Sequence, residues 1–311
     1  VFALSAYLEM GFGVFLMALF MLGLGLTFLQ IAANPFVALI GNPATASSRL
    51  NLSQAFNSLG TTLGPAIGGY LIFKYFMDKN ATSASGVILP YLFLSLLLLV
   101  LAIFIAFVKI NIQAEEKQNE EHSRSIFSYP YVVLGALGIF FYVGAEVAVG
   151  SNIVSYLKES MQMPEALAAA YLSYYWGGAM IGRFLGSVSL SNMSSGKKTA
   201  SMVLLATAGF AVIYVINYLL HGLSFGQVVV FLAFMIINFL GFHLGKGMPS
   251  RLLAIFALLN VVLICTAMLS SGTIAVWSLL AIGLFNSIMW SNVFTLSIDG
   301  LENGTAEASS I

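Results

Sequence analysis

Runs of about 20 mostly uncharged residues, the length an α-helix needs to cross a hydrocarbon layer, recur nine times along this chain with short polar breaks between them. They fall at residues 12–40, 50–73, 87–108, 129–155, 165–189, 199–220, 226–244, 251–270 and 273–297. Backbone in lipid must satisfy its own hydrogen bonds, so such runs are helices, and the expected fold class is an all-α polytopic membrane protein. Composition agrees, with 59% hydrophobic and 8% charged residues against about 25% charged in soluble domains. A formal net charge of zero offers no electrostatic footing for nucleic acid, and none is expected as a partner. The single cysteine, Cys265, excludes an intrachain disulfide and reads as packing filler within an apolar run.

Each span moves the following loop to the other side, so the basic residues test the count. Arg49, Lys109, Lys117, Arg124, Arg183, Lys197, Lys198, Lys246 and Arg251 fall at or near one set of alternating loops, and only Lys74, Lys79 and Lys158 at the other. Basic residues are retained on the cytoplasmic side, which makes the first set internal in a multi-pass protein of the cytoplasmic membrane. The one long charged segment, residues 109–126, reads as a cytoplasmic linker between two bundles, and His122 within it as an exposed residue. Val1 lies inside an apolar segment and Ile311 follows a short polar stretch, so the sequence reads as part of a longer chain, with no signal peptide in residues 1–6.

Polar residues within the spans narrow the function. Glu146 is the one carboxylate placed deep in a helix, where it needs a cavity, a partner or a proton, and it is the candidate coupling residue. Tyr142 and Gly150 stand one turn either side of it. Gln30 and Asn34 share a helical face beside Pro35, and Gln54, Asn57, Ser58 and Thr61 form a second polar stripe. Amides and hydroxyls joined by aromatic rings suit a neutral polyhydroxylated ligand, so a small-molecule sugar is the expected substrate. Asn286 and Trp290, four apart, and the run Tyr174, Tyr175 and Trp176 are further candidates.

Two four-residue glycine ladders, Gly60, Gly64 and Gly68, and Gly178, Gly182 and Gly186, permit close approach of helix backbones and are expected to form a packing interface. Gly25, Leu26, Asn34, Phe36 and Ile40 recur at constant offset as Gly283, Leu284, Asn292, Phe294 and Ile298, an internal echo of the kind expected from repeated halves. An intramembrane enzyme would need a nucleophile with its base, or a metal cluster. The spans offer His243 near an edge, no HExxH and no GxSxG, so no enzymatic activity, metal or cofactor is expected.

AANPF at residues 32–36, followed by RLN at 49–51 and QAFNS at 54–58, closely resembles the fucose/galactose/glucose symporters of the major facilitator superfamily. FYVGAEVAVGS from Phe141, IGRFLG from Ile181 and GLFNSIM from Gly283 are similar to that family's seventh, eighth and tenth helices. The resemblance implies a partial major facilitator fold, lacking helices one, two, eleven and twelve. Residues 1–108 would be the remainder of the N-terminal bundle and 127–311 the C-terminal bundle. The spans at 199–220 and 226–244 would be an extra hairpin inserted between family helices eight and nine, at about 195–247, with peripheral packing against lipid as its expected role. It further implies a monomer that takes up glucose or galactose with a proton or sodium ion by alternating access. Fucose or an amino sugar, or efflux on the same scaffold, are the alternatives. Gln30, Asn34, Gln54, Asn57, Tyr142, Glu146, Asn286 and Trp290 would line the sugar site. Fucose-type members carry glutamate where this chain has Gln30, and a proline is expected within the stretch Met289 to Phe294, which has none.

Overall fold

The computed structural model describes residues 12–70, 88–108, 125–301 and 305–309. Every regular element among the described residues is helical. In chain order these are α1 (Phe12–Leu39), α2 (Ala46–Tyr70), α3 (Ile88–Phe107), α4 (Pro130–Met161), α5 (Glu165–Ser189) and α6 (Ser195–His221). They continue as α7 (Phe225–Val228), α8 (Val230–Leu244), α9 (Pro249–Leu269), α10 (Gly272–Asn286), α11 (Met289–Ile298) and α12 (Thr305–Ala308). Most of the linker at 109–126, with His122, lies outside the described residues.

The ends of the helices follow local chemistry. Asn42 accepts from the Ala44 amide at 2.9 Å and starts a 3₁₀ turn at Pro43–Thr45 between α1 and α2. Arg49 then closes the end of α1 from the side. Its guanidinium donates to the carbonyls of Val37 and Ala38 at 3.1 and 2.7 Å, in the last turn of the helix where carbonyls lack helical partners, and to the Asn42 carbonyl beyond it at 2.8 Å. Gln162 in the left-handed region ends α4, Gly222 with φ +68° ends α6, and Pro249 opens α9.

The chain forms two compact units, Val1–Ala33 with Leu63–His122, and Asn34–Thr62 with Ser123–Ile311. In the first, α3 has no buried residue and exposes Leu92, Phe93, Leu96, Leu97 and Phe104, a surface suited to lipid and not to water. In the second, Tyr174, Phe231, Phe242, Phe256, Trp277 and Phe285 fill one core. Their rings meet mostly edge to face, as in Tyr174 on Phe231 at 5.3 Å and Phe242 on Phe256 at 4.9 Å.

Among the described residues six helices, counting α10 and α11 as one, are long and apolar enough to span a membrane, against the nine runs expected. Of the others, α8 is short, while α2 and α5 carry polar faces. Most of α5 is buried, so much of its surface meets neighbouring helices and not lipid, and its composition need not be apolar.

Three expectations are corrected. The pair 199–220 and 226–244 is not wholly peripheral. The outer face of α6 exposes Val203, Leu204, Val212 and Leu219, but α8 is packed against α5, α9 and α10 with Phe231, Asn238 and Phe242 buried. Cys265 is exposed on α9, where it fills no core. The single span at 273–297 is two helices broken at Ser287 and Ile288, so Asn286 and Trp290 do not share one continuous helix.

The glycine ladder of α5 explains how the broken segment is held. A Cβ on Gly182 would fall 2.2 Å from Ser287 Oγ and 2.7 Å from the Leu284 carbonyl, and one on Gly178 3.2 Å from the Leu284 amide. The ladder therefore seats α10, a neighbour within the same unit. Gly60 has nothing within 4 Å of such a position, so it joins no close seam. The surroundings of Gly64 and Gly68 lie outside the described residues.

Candidate functional site

Glu146 sits four turns into α4, in a helix whose neighbouring positions are apolar or glycine. Its side chain is 11% exposed, as is that of Arg183 on α5, and Oε1 lies 3.4 Å from Arg183 Nη2. Two buried charges persist only where each is paired and hydrogen-bonded. Arg183 meets that condition with two further donations, from Nε to the Ser287 carbonyl at 3.0 Å and from Nη1 to Ser58 Oγ on α2. One guanidinium thus ties α4, α2 and the break between α10 and α11.

The break is where a helix leaves carbonyls without partners, and side chains from other helices supply them. Tyr142, one turn before Glu146, donates its hydroxyl to the Asn286 carbonyl at 3.1 Å. Asn238 of α8 donates to the Leu284 carbonyl at 3.1 Å. With Arg183 on Ser287, three other helices, α4, α5 and α8, read the opened backbone, which inside a membrane is tolerated only where protein polar groups satisfy it. No proline is needed, because the helix gains elsewhere the hydrogen bonds it forgoes.

From this centre a polar chain runs both ways. Ser58 Oγ donates to the Gln54 carbonyl at 3.0 Å, and Gln54 Nε2 to Asn34 Oδ1 at 3.4 Å. On the other side Asn286 Oδ1 accepts from Asn260 of α9 at 2.9 Å, and Tyr175 donates its hydroxyl to the Glu146 carbonyl at 2.9 Å. Tyr174 OH and the Oδ1 atoms of Asn238 and Asn260 are buried without a protein partner, free acceptors that water or a hydroxylated ligand can use.

The sequence-derived candidates divide accordingly. Asn34, Gln54, Tyr142, Glu146 and Asn286 belong to this chain of contacts. Asn57 is exposed, and Gln30 is exposed in the first unit. Trp290 stacks on Phe294 at 5.2 Å, in a small apolar cluster with Ala38 and Leu50. Tyr175, one of the aromatic candidates, joins the chain through the Glu146 carbonyl, whereas Arg183 and Asn260 are not among the sequence-derived site residues. Arg183 had been grouped with loop cations, and the structure places it inside α5 as the partner of Glu146. Its position among Gly178, Gly182 and Gly186 was the available signal, since a guanidinium between small residues has room to reach a neighbouring helix.

Below this centre a second polar set ties the start of α2 to α5 and α11. Ser47 and Thr295 hydroxyls are 2.6 Å apart, Ser48 donates to the Ser187 carbonyl at 2.6 Å, and Asn51 donates to Asn292 Oδ1 at 3.1 Å. Gly186 leaves the space, since a Cβ there would lie 3.5 Å from Asn51 and 2.4 Å from Ile288. Short side chains and a glycine make a closed seam of hydrogen bonds that can part without dragging large apolar groups into water.

The family model of the Major Facilitator Superfamily matches residues 1–244. The chain belongs to that superfamily. It is 37% identical over 305 residues to a glucose/galactose transporter of Brucella abortus biovar 1 (strain 9-941), covering 96% of this chain and 61% of that one. It is 30% identical over 223 residues to the L-fucose-proton symporter of Escherichia coli (strain K12), covering 64% and 51%. The crystal structure of the E. coli fucose:proton symporter superposes with a TM-score of 0.69 at 22% identity, over 99% of this chain and 68% of that one, which establishes the major facilitator fold. The chain spans about three fifths of the length of the Brucella relative. The expected family and the all-α partial fold hold.

Proposed function

We propose that the whole protein is a secondary active transporter that takes up a hexose, glucose or galactose, with a proton or sodium ion by alternating access across the cytoplasmic membrane. The observation that carries this reading is the buried Glu146–Arg183 pair, set in a chain of amides and hydroxyls from Asn34 to Asn260. Neutral hydrogen-bonding groups match sugar hydroxyls, and the unpartnered oxygens of Tyr174, Asn238 and Asn260 add capacity. An apolar cargo would leave these groups unsatisfied on binding, which disfavours efflux of greasy compounds. The 36–37% identical relatives bearing the glucose/galactose transporter name support the substrate class.

Glu146 has the chemistry of a coupling site. A proton or a sodium ion on its carboxylate cancels the charge that Arg183 balances, and Arg183 then holds only Ser58 and Ser287. The cation thereby changes which helices the guanidinium ties, and coupling requires only that the two states bind the cation unequally. The seam of Ser47, Ser48 and Asn51 with α5 and α11 would be the inner gate, closed in this structure, with residues 109–126 cytoplasmic. Gln30, Asn57 and Trp290 would complete the sugar path when the gate moves. The α6 to α8 segment would be a family insertion, the protein a monomer, and no organic cofactor is required.

The test is uptake of labelled glucose and galactose by the full-length protein in cells lacking their own hexose carriers, under a proton gradient alone or a sodium gradient alone. Accumulation under one of the two, competed by the other hexose, is expected. Uptake that equilibrates without accumulation under both gradients would refute coupled transport.

A further inference from the structure

At the end of the second unit where α5 finishes, α6 begins and α8 finishes, a cavity of ≈ 350 Å³ opens. Its polar wall carries Lys198, Lys246 and His243, with the hydroxyls of Ser195 and Thr199. Lys198 is half-buried, and Nζ donates to the Ser189 carbonyl at 2.9 Å. That bond uses one of its three protons and holds the ammonium at the cavity wall. Lys246 is exposed, and its backbone is kept at φ +49°, a region that side chains other than those of Asn and Asp seldom adopt.

Between Glu165 and Asp299 the sequence holds Arg183, Lys197, Lys198, Lys246 and Arg251 and no carboxylate at all. Neither cavity lysine forms an ion pair among the described residues. Met193, Met202 and Phe242 form the apolar part of the wall. On the adjoining outer surface Leu244 and Met193 are exposed, as suits acyl chains. A site with two ammonium groups, hydroxyl donors and a greasy margin has the chemistry of a phosphate oxyanion carried on a lipid.

We propose that this cavity binds the phosphate of an anionic glycerophospholipid headgroup, with the acyl chains lying along α6 and α8. The inference depends on the chain being membrane-embedded and not on the sugar reading. Positive charge gathered at one membrane end is retained on the cytoplasmic side, so the lipid comes from the inner leaflet. A soluble phosphate ester shares the same chemistry and is separated from the lipid by the experiment.

The purified full-length protein is stripped of lipid in neutral detergent, offered phosphatidylglycerol or phosphatidylcholine, and the retained lipid is read by native mass spectrometry. Preferential retention of phosphatidylglycerol is expected. Lys198→Gln with Lys246→Gln should lower that preference by at least tenfold, since each basic group at a membrane surface contributes about fivefold. Lys246→Gln alone, which removes no internal hydrogen bond, should lower it about fivefold and keeps the test usable if the double variant fails to fold. Lys158→Gln, in the last turn of α4 where the side chain is exposed and paired with Glu165, should leave it unchanged. Equal retention of the two lipids by the parent protein, or undiminished preference in the variants, would overturn the proposal. Displacement of the lipid by millimolar inorganic phosphate would overturn the lipid assignment in favour of a soluble phosphate ester.

Discussion

Replacing Arg183 by methionine is expected to lower stability by about 3–5 kcal/mol, the usual loss when one member of a buried ion pair is removed. The reason lies in what is left behind. Glu146 has 11% side-chain exposure and its charged partner is Arg183, so the variant must protonate the carboxylate or strand its charge in an apolar bundle. The same change also frees the Ser287 carbonyl at the helix break and the Ser58 hydroxyl. A second substitution, Glu146→Gln, removes the stranded charge and should return most of the loss. Thermal unfolding in detergent of the parent, both single variants and the double variant gives the cycle. Additive losses would mean that the two groups do not act as a pair.

Gly283→Ala is expected to be at least as disruptive as most core truncations, at about 2–3 kcal/mol, because overpacking against backbone cannot be relieved by a rotamer change. A Cβ at Gly283 would lie 2.0 Å from the Tyr175 carbonyl oxygen and 2.8 Å from its carbon. Relief requires moving α10 away from α5. That shift would draw Asn286 from Tyr175 and Ser287 from Arg183, so the variant should also lose sugar affinity. Gly144→Ala is the control, since nothing lies within 4 Å of the corresponding position. The measurement is melting temperature together with sugar protection against unfolding. A Gly283→Ala protein as stable as Gly144→Ala would refute the close α5–α10 seam.

Much of this arrangement was legible in the residues. Glu146 stood out because a carboxylate in lipid is costly, and Asn34 and Gln54 because paired amides on neighbouring helices are wasted unless they meet something polar. Family motifs supplied what periodicity could not, the order of the helices. Other features were hidden for physical reasons. Lipid and protein interior present the same apolar chemistry, so nothing in the composition of residues 226–244 revealed that one face of α8, with Phe231, Asn238 and Phe242, is buried while the other is exposed. The break at Ser287 carries no proline and no glycine at the break itself, and its cause lies in Tyr142, Asn238 and Arg183 on three other helices. Asn260 was the single amide in an apolar run and gave no stripe, although its bond to Asn286 extends the network to α9. Asn57 shares helical spacing with Gln54 and Thr61, yet it is exposed and outside the hydrogen-bonded chain, which spacing alone does not show.

The account rests on Glu146 as the group through which a cation gradient acts on sugar movement. In proteoliposomes containing the full-length Glu146→Gln protein, gradient-driven accumulation of labelled hexose should fall to the level of empty vesicles. Exchange of labelled for unlabelled sugar, which needs binding and gating but no gradient, should persist. Accumulation equal to that of the parent protein in the Glu146→Gln vesicles would contradict the account.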